Sequence, residues 1–322
     1  MPPAPPSLAL DPGSDSGITG DGRTRDTTPT LSGSAEPNSS VTILVDGVAD
    51  GVALADGAGL WSHTLLTPLA DGPHSLTATA TDAQNNVSAP SAPLLLTIDT
   101  AAPGAPLLAL DPGSDSGTAG DGLTRDTTPT LSGSAEPNSS ITLQRDGVTV
   151  ASLTADGSGL WSWTEPTPLA DGVYSYTATA TDAAGNVSAS SAALGVTIDT
   201  TAPAAPLVTL DPGSDSGAAG DGLTRDTTPT LSGSAEPNSS VTLQRDGVTV
   251  ASLTADGGGL WSWTEPTPLA DGVYSYTATA TDAAGNVSAG SAALGVTIDT
   301  TAPAAPSSRS TPAPTAAPPA TG

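Results

Sequence analysis

The chain has 322 residues, 33 of them acidic and seven basic, for a net charge of -26, and it contains no cysteine. A surface of that sign repels phosphate backbones and anionic headgroups, which disfavours nucleic-acid and membrane-surface partners and favours a monomer. All seven cations are arginine, so disulfides, thiolate metal sites and lysine-dependent isopeptide crosslinks are excluded together.

A unit of 100 residues is written three times, with LDPGSDSG, TRDTTPTLSGSAEPNSS, GLWS, LADG, TATATDA and TIDT recurring in register. Residues 101–200 and 201–300 differ at eight positions, and residues 1–100 have drifted further. Each unit has the size of an independently folding domain, so whatever the chain does is done by every unit or by their sum. The expected organisation is a partial linker over 1–6, repeats over 7–100, 101–200 and 201–300, and a disordered Pro/Ala-rich tail over 301–322.

Met1 to Pro6 stands in register with Ala101 to Pro106 and Thr201 to Pro206, the segment joining one unit to the next. The chain is therefore expected to be a piece of a longer array. MPPAPPSLAL lacks the basic and apolar regions of a signal peptide, and no apolar stretch approaches the roughly 18 residues that span a bilayer.

Within a unit the apolar pattern has period two over short runs bounded by Asp-Gly, Asn-Ser and proline-containing turns, and no stretch sustains a helical period. In the second unit strands are expected near Pro106 to Leu110, Thr130 to Ala135, Ser140 to Arg145, Val148 to Leu153, Leu160 to Thr164, Val173 to Thr181 and Ala192 to Asp199. Seven short strands with regular turns indicate an all-β, two-sheet sandwich. In VYSYTATAT the set Tyr174, Tyr176, Ala178 and Ala180 faces the core, as do Leu194, Val196 and Ile198 in the last strand.

The string DPGSDSG..GDG.TRDTTPTLSGSAEPNSSVTL, followed by GLWSW, LADGVYSYTATATDAAGNVSA and VTIDTTAPAAP, resembles the bacterial Ig-like domains strung together in large bacterial surface adhesins and biofilm proteins. The resemblance covers nearly all of each unit. It implies immunoglobulin-like sandwiches arranged end to end, an extracellular or cell-surface location, a stalk or spacer role, and calcium at the junctions between domains. The partners it implies are neighbouring Ig-like domains of a longer parent chain, with host or matrix surfaces reached through other domains.

Aspartate outnumbers glutamate 28 to five, and the carboxylates cluster in loops. In a sandwich the connection from Asp11 to Asp26 and the end of the last strand at Asp99 share the lower end, and the TDAAGN turn lies at the upper end. Stacked units bring Asp15, Asp21, Asp26 and Asp99 towards Asp182 and Asn186, and the second junction brings Asp115, Asp121, Asp126 and Asp199 towards Asp282. Calcium takes six to eight hard oxygens, which carboxylates and loop carbonyls supply without histidine or cysteine. The competing reading is that the aspartates cap turns, which is favoured for Asp46, Asp56 and Asp71, each followed by glycine.

Trp161 and Trp163 share a strand face and could form a sugar platform, but a chain without phenylalanine is expected to spend them on its core, with Trp163 the more exposed of the two. Histidine occurs only at 63 and 74, and no serine sits in a nucleophile elbow, so the chain reads as a non-enzyme. The function expected is a calcium-rigidified stalk segment, the alternatives being an accessory carbohydrate-binding region of a secreted enzyme or a ligand-free spacer.

Overall fold

The computed structural model describes residues 1–305, so the tail expected over 301–322 lies almost wholly outside the described residues. Every element is a strand. In the first repeat these are β1 (Ala9–Leu10), β2 (Arg23–Thr24), β3 (Thr30–Ser34), β4 (Ser40–Val45), β5 (Val48–Leu54), β6 (Leu60–Thr64), β7 (Gly72–Thr81) and β8 (Leu94–Ile98). A five-stranded sheet, ordered β2-β8-β7-β4-β5, packs against a three-stranded sheet, β1-β3-β6. The second repeat repeats this order with β9 (Leu107–Leu110), β10 (Leu123–Thr124), β11 (Thr130–Ser134), β12 (Ser140–Arg145), β13 (Val148–Thr154), β14 (Leu160–Thr164), β15 (Gly172–Thr181) and β16 (Leu194–Ile198), and the third does the same.

All seven strands expected in the second repeat are present, and one more is added. Strand β10 is two residues long and pairs parallel with β16, Leu123 opposite Thr197 and Thr124 opposite Ile198. Its equivalent β2 pairs with β8 in the first repeat, so the chain crosses from the small sheet to the large one between β1 and β2. That crossing lays the loop over residues 11–26 across one end of the sandwich. The chain divides into two compact units, 1–200 and a second that opens at Thr201.

The alternation along each strand explains the core. Tyr176, Ala178 and Ala180 of β15 are buried with Ile141 and Leu143 of β12, Val196 and Ile198 of β16, and Leu131 and Trp161 from the small sheet, while Tyr174 and Trp163 pack against them half-buried. Asp146 and Gly147 turn β12 into β13 with φ of 53° and 78°, the left-handed pair that a two-residue hairpin needs. Asp146 Oδ1 also accepts the Ser175 amide, and Asp156 Oδ1 accepts the amides of Ser158 and Leu160, so these side chains work as turn caps.

Repeats two and three carry a charged group inside this core that the first repeat does not. Glu165, 3% exposed, accepts from Arg145 Nη1 at 2.5 Å and from the Tyr176 hydroxyl at 3.2 Å, and the guanidinium lies over the Tyr174 ring. Burial, then the Glu165 charge, pushes the Tyr176 hydroxyl up to about 12. Its contribution to stability is complete below the unfolded value of about 10 and is lost as pH rises towards 12. The first repeat has Val45, Leu65 and Leu76 at the three positions, all apolar.

Two equivalent solutions to one packing site invite an exchange. Arg145→Val alone leaves a buried carboxylate without its counter-charge and is expected to destabilise the second repeat by about 3 kcal/mol. The triple variant R145V/E165L/Y176L rebuilds the apolar set and is expected to match wild type within about 1 kcal/mol or to exceed it. Urea unfolding of the full chain measures both, and a triple variant as unstable as the single one would overturn the equivalence.

Candidate functional site

The end of the first repeat is a loop that hydrogen-bonds to itself. Asp11 Oδ1 accepts the Gly13 amide, Asp15 Oδ2 the Gly20 amide at 2.7 Å, Asp21 Oδ1 the Arg23 amide, and Asp26 Oδ1 the Thr28 amide. Buried Thr24 donates its hydroxyl to the Ser14 carbonyl at 2.6 Å, and the Ser16 hydroxyl accepts the Arg25 amide at 2.9 Å. The parallel pairing of β2 with β8 ties the loop to the last strand, since Thr97 donates to the Gly22 carbonyl and Asp99 to the Thr24 carbonyl.

The facing end of the second repeat is the turn over 182–186. Asp182 closes it from within, Oδ1 accepting the Asn186 amide at 2.8 Å and Oδ2 accepting Asn186 Nδ2 at 2.9 Å. Both side chains are buried. The turn therefore presents its own main chain outward.

Four hydrogen bonds join the first repeat to this turn, three from the loop and one to the end of the last strand, and every acceptor is a backbone carbonyl. The Ile18 amide donates to Ala183 at 2.9 Å, the Ser16 hydroxyl to Ala184 at 2.6 Å, Arg25 Nη1 to Gly185 at 2.6 Å, and Asn186 Nδ2 to Asp99 at 2.8 Å. At their centre Gly17, with φ of 78°, lies against the turn so closely that a Cβ there would stand 2.1 Å from the Ala183 carbonyl oxygen. No residue with a side chain fits that place.

The carboxylates expected at this junction divide into two groups. Asp99 and Asp182 do come together, on one cavity of about 350 Å³ that Arg23, Glu136, Ser139 and Ala183 also line. Asp15, Asp21 and Asp26 serve their own loop, although Asp15 Oδ1 is buried with no hydrogen-bond partner. In the second repeat Asp115, Asp121 and Asp126 accept the amides of Gly120, Leu123 and Thr128 in the same way, and Asp115 Oδ1 is again buried without a partner. The Asp199 amide donates to the Thr124 carbonyl, and Asp282 Oδ1 accepts the Asn286 amide; these two residues belong to different units. Among the described residues no three His, Asp or Glu side chains gather closely enough to hold a metal ion as they stand.

Ser16, Gly17 and Arg25 are the junction residues that a search for carboxylates passes over. Their signal is the recurrence of DSG and TRD around the loop in all three repeats. The aromatic candidates face inward: Trp161 pairs with Gly133 and is 5% exposed, and Trp163 pairs with Leu131 and is half-buried. The two histidines support backbone rather than a nucleophile. His63 Nε2 lies 2.9 Å from Asp50, whose carboxylate also takes the amides of Leu66 and Thr67, and His74 bridges Asp46 and the Ala70 carbonyl.

The family model described as bacterial Ig-like domain matches residues 2–100, 102–200 and 201–300. Exoglucanase B of Cellulomonas fimi is 35% identical over 240 residues, which are 70% of this chain and 20% of that protein. The chain thus spans a fifth of the length of the curated relative it matches. Among solved structures, a tetra-tandem repeat from the extending region of a large adhesion protein is 26% identical with a TM-score of 0.30, covering 92% of this chain and 74% of that one. A structure concerned with host cell surface retention of a 1.5-MDa bacterial ice-binding adhesin is 21% identical with a TM-score of 0.36, covering 92% and 98%.

If main-chain contact at Gly17 holds the junction, Gly17→Ala is expected to cost more than Gly20→Ala. Both glycines have φ near +80°, but a Cβ at Gly20 meets nothing within 4 Å. Gly20→Ala therefore reports backbone strain alone, roughly 1 kcal/mol, and the excess loss in Gly17→Ala reports docking. Calorimetric unfolding of the two variants measures the difference, and equal losses would mean that the Gly17 contact contributes nothing.

Proposed function

The chain belongs to the bacterial Ig-like domain family, and on that premise we propose that it is a structural spacer segment of a bacterial cell-surface or secreted protein. The observation that carries this reading is the junction: the loop of the first repeat and the turn of the second are spent on joining one domain to the next through hydrogen bonds to main-chain carbonyls. A segment whose most specific contacts are between its own domains sets distance and orientation for something else. The partners of such a segment are the neighbouring domains of its parent, and an adhesin or a secreted enzyme both have use for it. Among the described residues no helix is long and apolar enough to cross a membrane.

Calcium is the second part of the proposal. Asp99, Glu136 and Asp182 rim one cavity at the junction, where like charges repel unless a cation neutralises them, and Arg23 supplies one positive charge for three negative ones. As they stand these side chains lie too far apart to ligate one ion, so they would have to close on it together with loop carbonyls, and the ion would supply neutralisation and oxygen coordination across the two domains. Asp15 and Asp115 each keep a buried oxygen with no partner, which gives a cation a further ligand within each loop.

The carbohydrate-binding alternative needs an exposed aromatic platform, and the inward pairing of Trp161 and Trp163 argues for core packing instead. One calorimetric experiment on the metal-stripped full chain tests both parts. Calcium is expected to bind with a dissociation constant of roughly micromolar to submillimolar, weakened in Asp99→Asn and Glu136→Gln, and a soluble glucan is expected to give no heat. Silence with calcium up to several millimolar, about the top of the range for extracellular modules, would remove the calcium part. Saturable heat with the glucan, lost in Trp163→Ala, would replace the spacer reading.

A further inference from the structure

The first repeat has a turn of its own at the position of 182–186, and it differs in two residues. Gln84 and Asn85 stand where the second repeat has Ala184 and Gly185. The two turns share one backbone conformation. Asp82 donates to the Asn86 carbonyl and Asn85 to the Asp82 carbonyl, as Asp182 does to Asn186 and Gly185 to Asp182. Asn85 holds φ of 63° and Gly185 holds 89°, both in the left-handed region that asparagine tolerates. The carbonyl acceptors used at the junction are therefore present in either turn, and only the side chains differ.

Those side chains decide whether another repeat can dock. A Cβ at position 185 would stand 2.9 Å from the Gly17 amide nitrogen and 3.1 Å from its Cα, both backbone atoms that cannot swing aside. Ala184 is fully buried under the docked loop, so a glutamine there must place a polar side chain where a methyl group now fits. We propose that the residue pair at 184–185 is the specificity determinant of repeat-to-repeat docking: Ala-Gly admits the Ser16–Gly17 corner of a preceding repeat, and Gln84–Asn85 refuses it. The partner recognised by that corner is thus an Ala-Gly turn of another repeat of this kind. The first repeat accepts no such corner on its own turn, and any domain that precedes it is joined by a different contact.

The inference rests on the docked junction described above, and its test separates the two. In the full chain, A184Q/G185N installs the turn of the first repeat in the second, with asparagine keeping the left-handed residue in place. Amide exchange by nuclear magnetic resonance then reads three positions. The Ile18 amide, bonded to Ala183, is expected to exchange at least about tenfold faster in the variant. The Gly20 amide, bonded within the loop, and the Ser188 amide, bonded to Ala180, are expected to keep their rates and so to report an intact loop and sandwich. An Ile18 amide as protected in the variant as in wild type would overturn the proposal. An Ile18 amide unprotected already in wild type would overturn the docked junction itself. If the double variant loses Ser188 protection, A184Q alone, which leaves the left-handed glycine untouched, carries the same expectation.

Discussion

Gly17 allows the main chain of one domain to lie on the main chain of the next, and the arrangement of the first 200 residues follows from that contact. A side chain at this point would reach the Ala183 carbonyl oxygen at 2.1 Å, so the loop must bring a glycine in a left-handed conformation to the place where the turn arrives. The hydrogen bonds around it then have fixed partners, because three of the four acceptors are carbonyls of a turn that Asp182 and Asn186 have already closed, and the fourth bond runs from Asn186 back to the Asp99 carbonyl. Each such bond contributes only about 1 kcal/mol net. Four of them converging on one turn are enough to bias two domains towards one orientation, and the bias needs no large apolar interface.

The first repeat shows which positions move together. Where the second repeat has Trp163 and Val150 packed against its core, the first places His63 against Asp50, and Gly51 replaces Ala151 because a Cβ there would stand 2.4 Å from the imidazole. Where Tyr174 donates to the Ala70-equivalent carbonyl, His74 does the same and adds Asp46, whose carboxylate helps the carbonyl hold the imidazole above its ordinary pKa. Where Arg145, Glu165 and Tyr176 share charge and hydrogen bonds, Val45, Leu65 and Leu76 share apolar contact. Each set is complete in its own repeat, so the sandwich is preserved while its contents change. Gln84–Asn85 stands outside this pattern: nothing inside the first repeat compensates for it, because its consequence falls on the neighbour.

Much of this was legible in the sequence because sandwich strands announce themselves by alternation. Ser140 to Arg145 and Leu160 to Thr164 could be bounded to the residue, since turn chemistry flanks them on both sides. Strand β10 could not, because two residues paired parallel to β16 carry no alternation and are defined only by a distant partner. The meeting of Asp99 with Asp182 followed from topology, which places the end of the last strand near the next domain's turn. Ser16, Gly17 and Arg25 escaped, because contacts to backbone carbonyls leave no matching residue type across the junction. Asp15, Asp21 and Asp26 illustrate the complementary difficulty: a carboxylate that caps its own loop has the same letter in the sequence as one that faces a neighbour.

The orientation of the first two repeats in metal-free solution is the most direct measurement of whether main-chain docking holds them. Residual dipolar couplings from weakly aligned full chain give one alignment tensor for residues 7–100 and another for 101–200. If the Gly17 junction is formed, the two tensors coincide in magnitude and axes without added calcium. Tensors that differ, with a smaller magnitude for one repeat, would mean that the domains swing about the Asp99 to Pro106 linker and that the hydrogen-bonded junction does not hold.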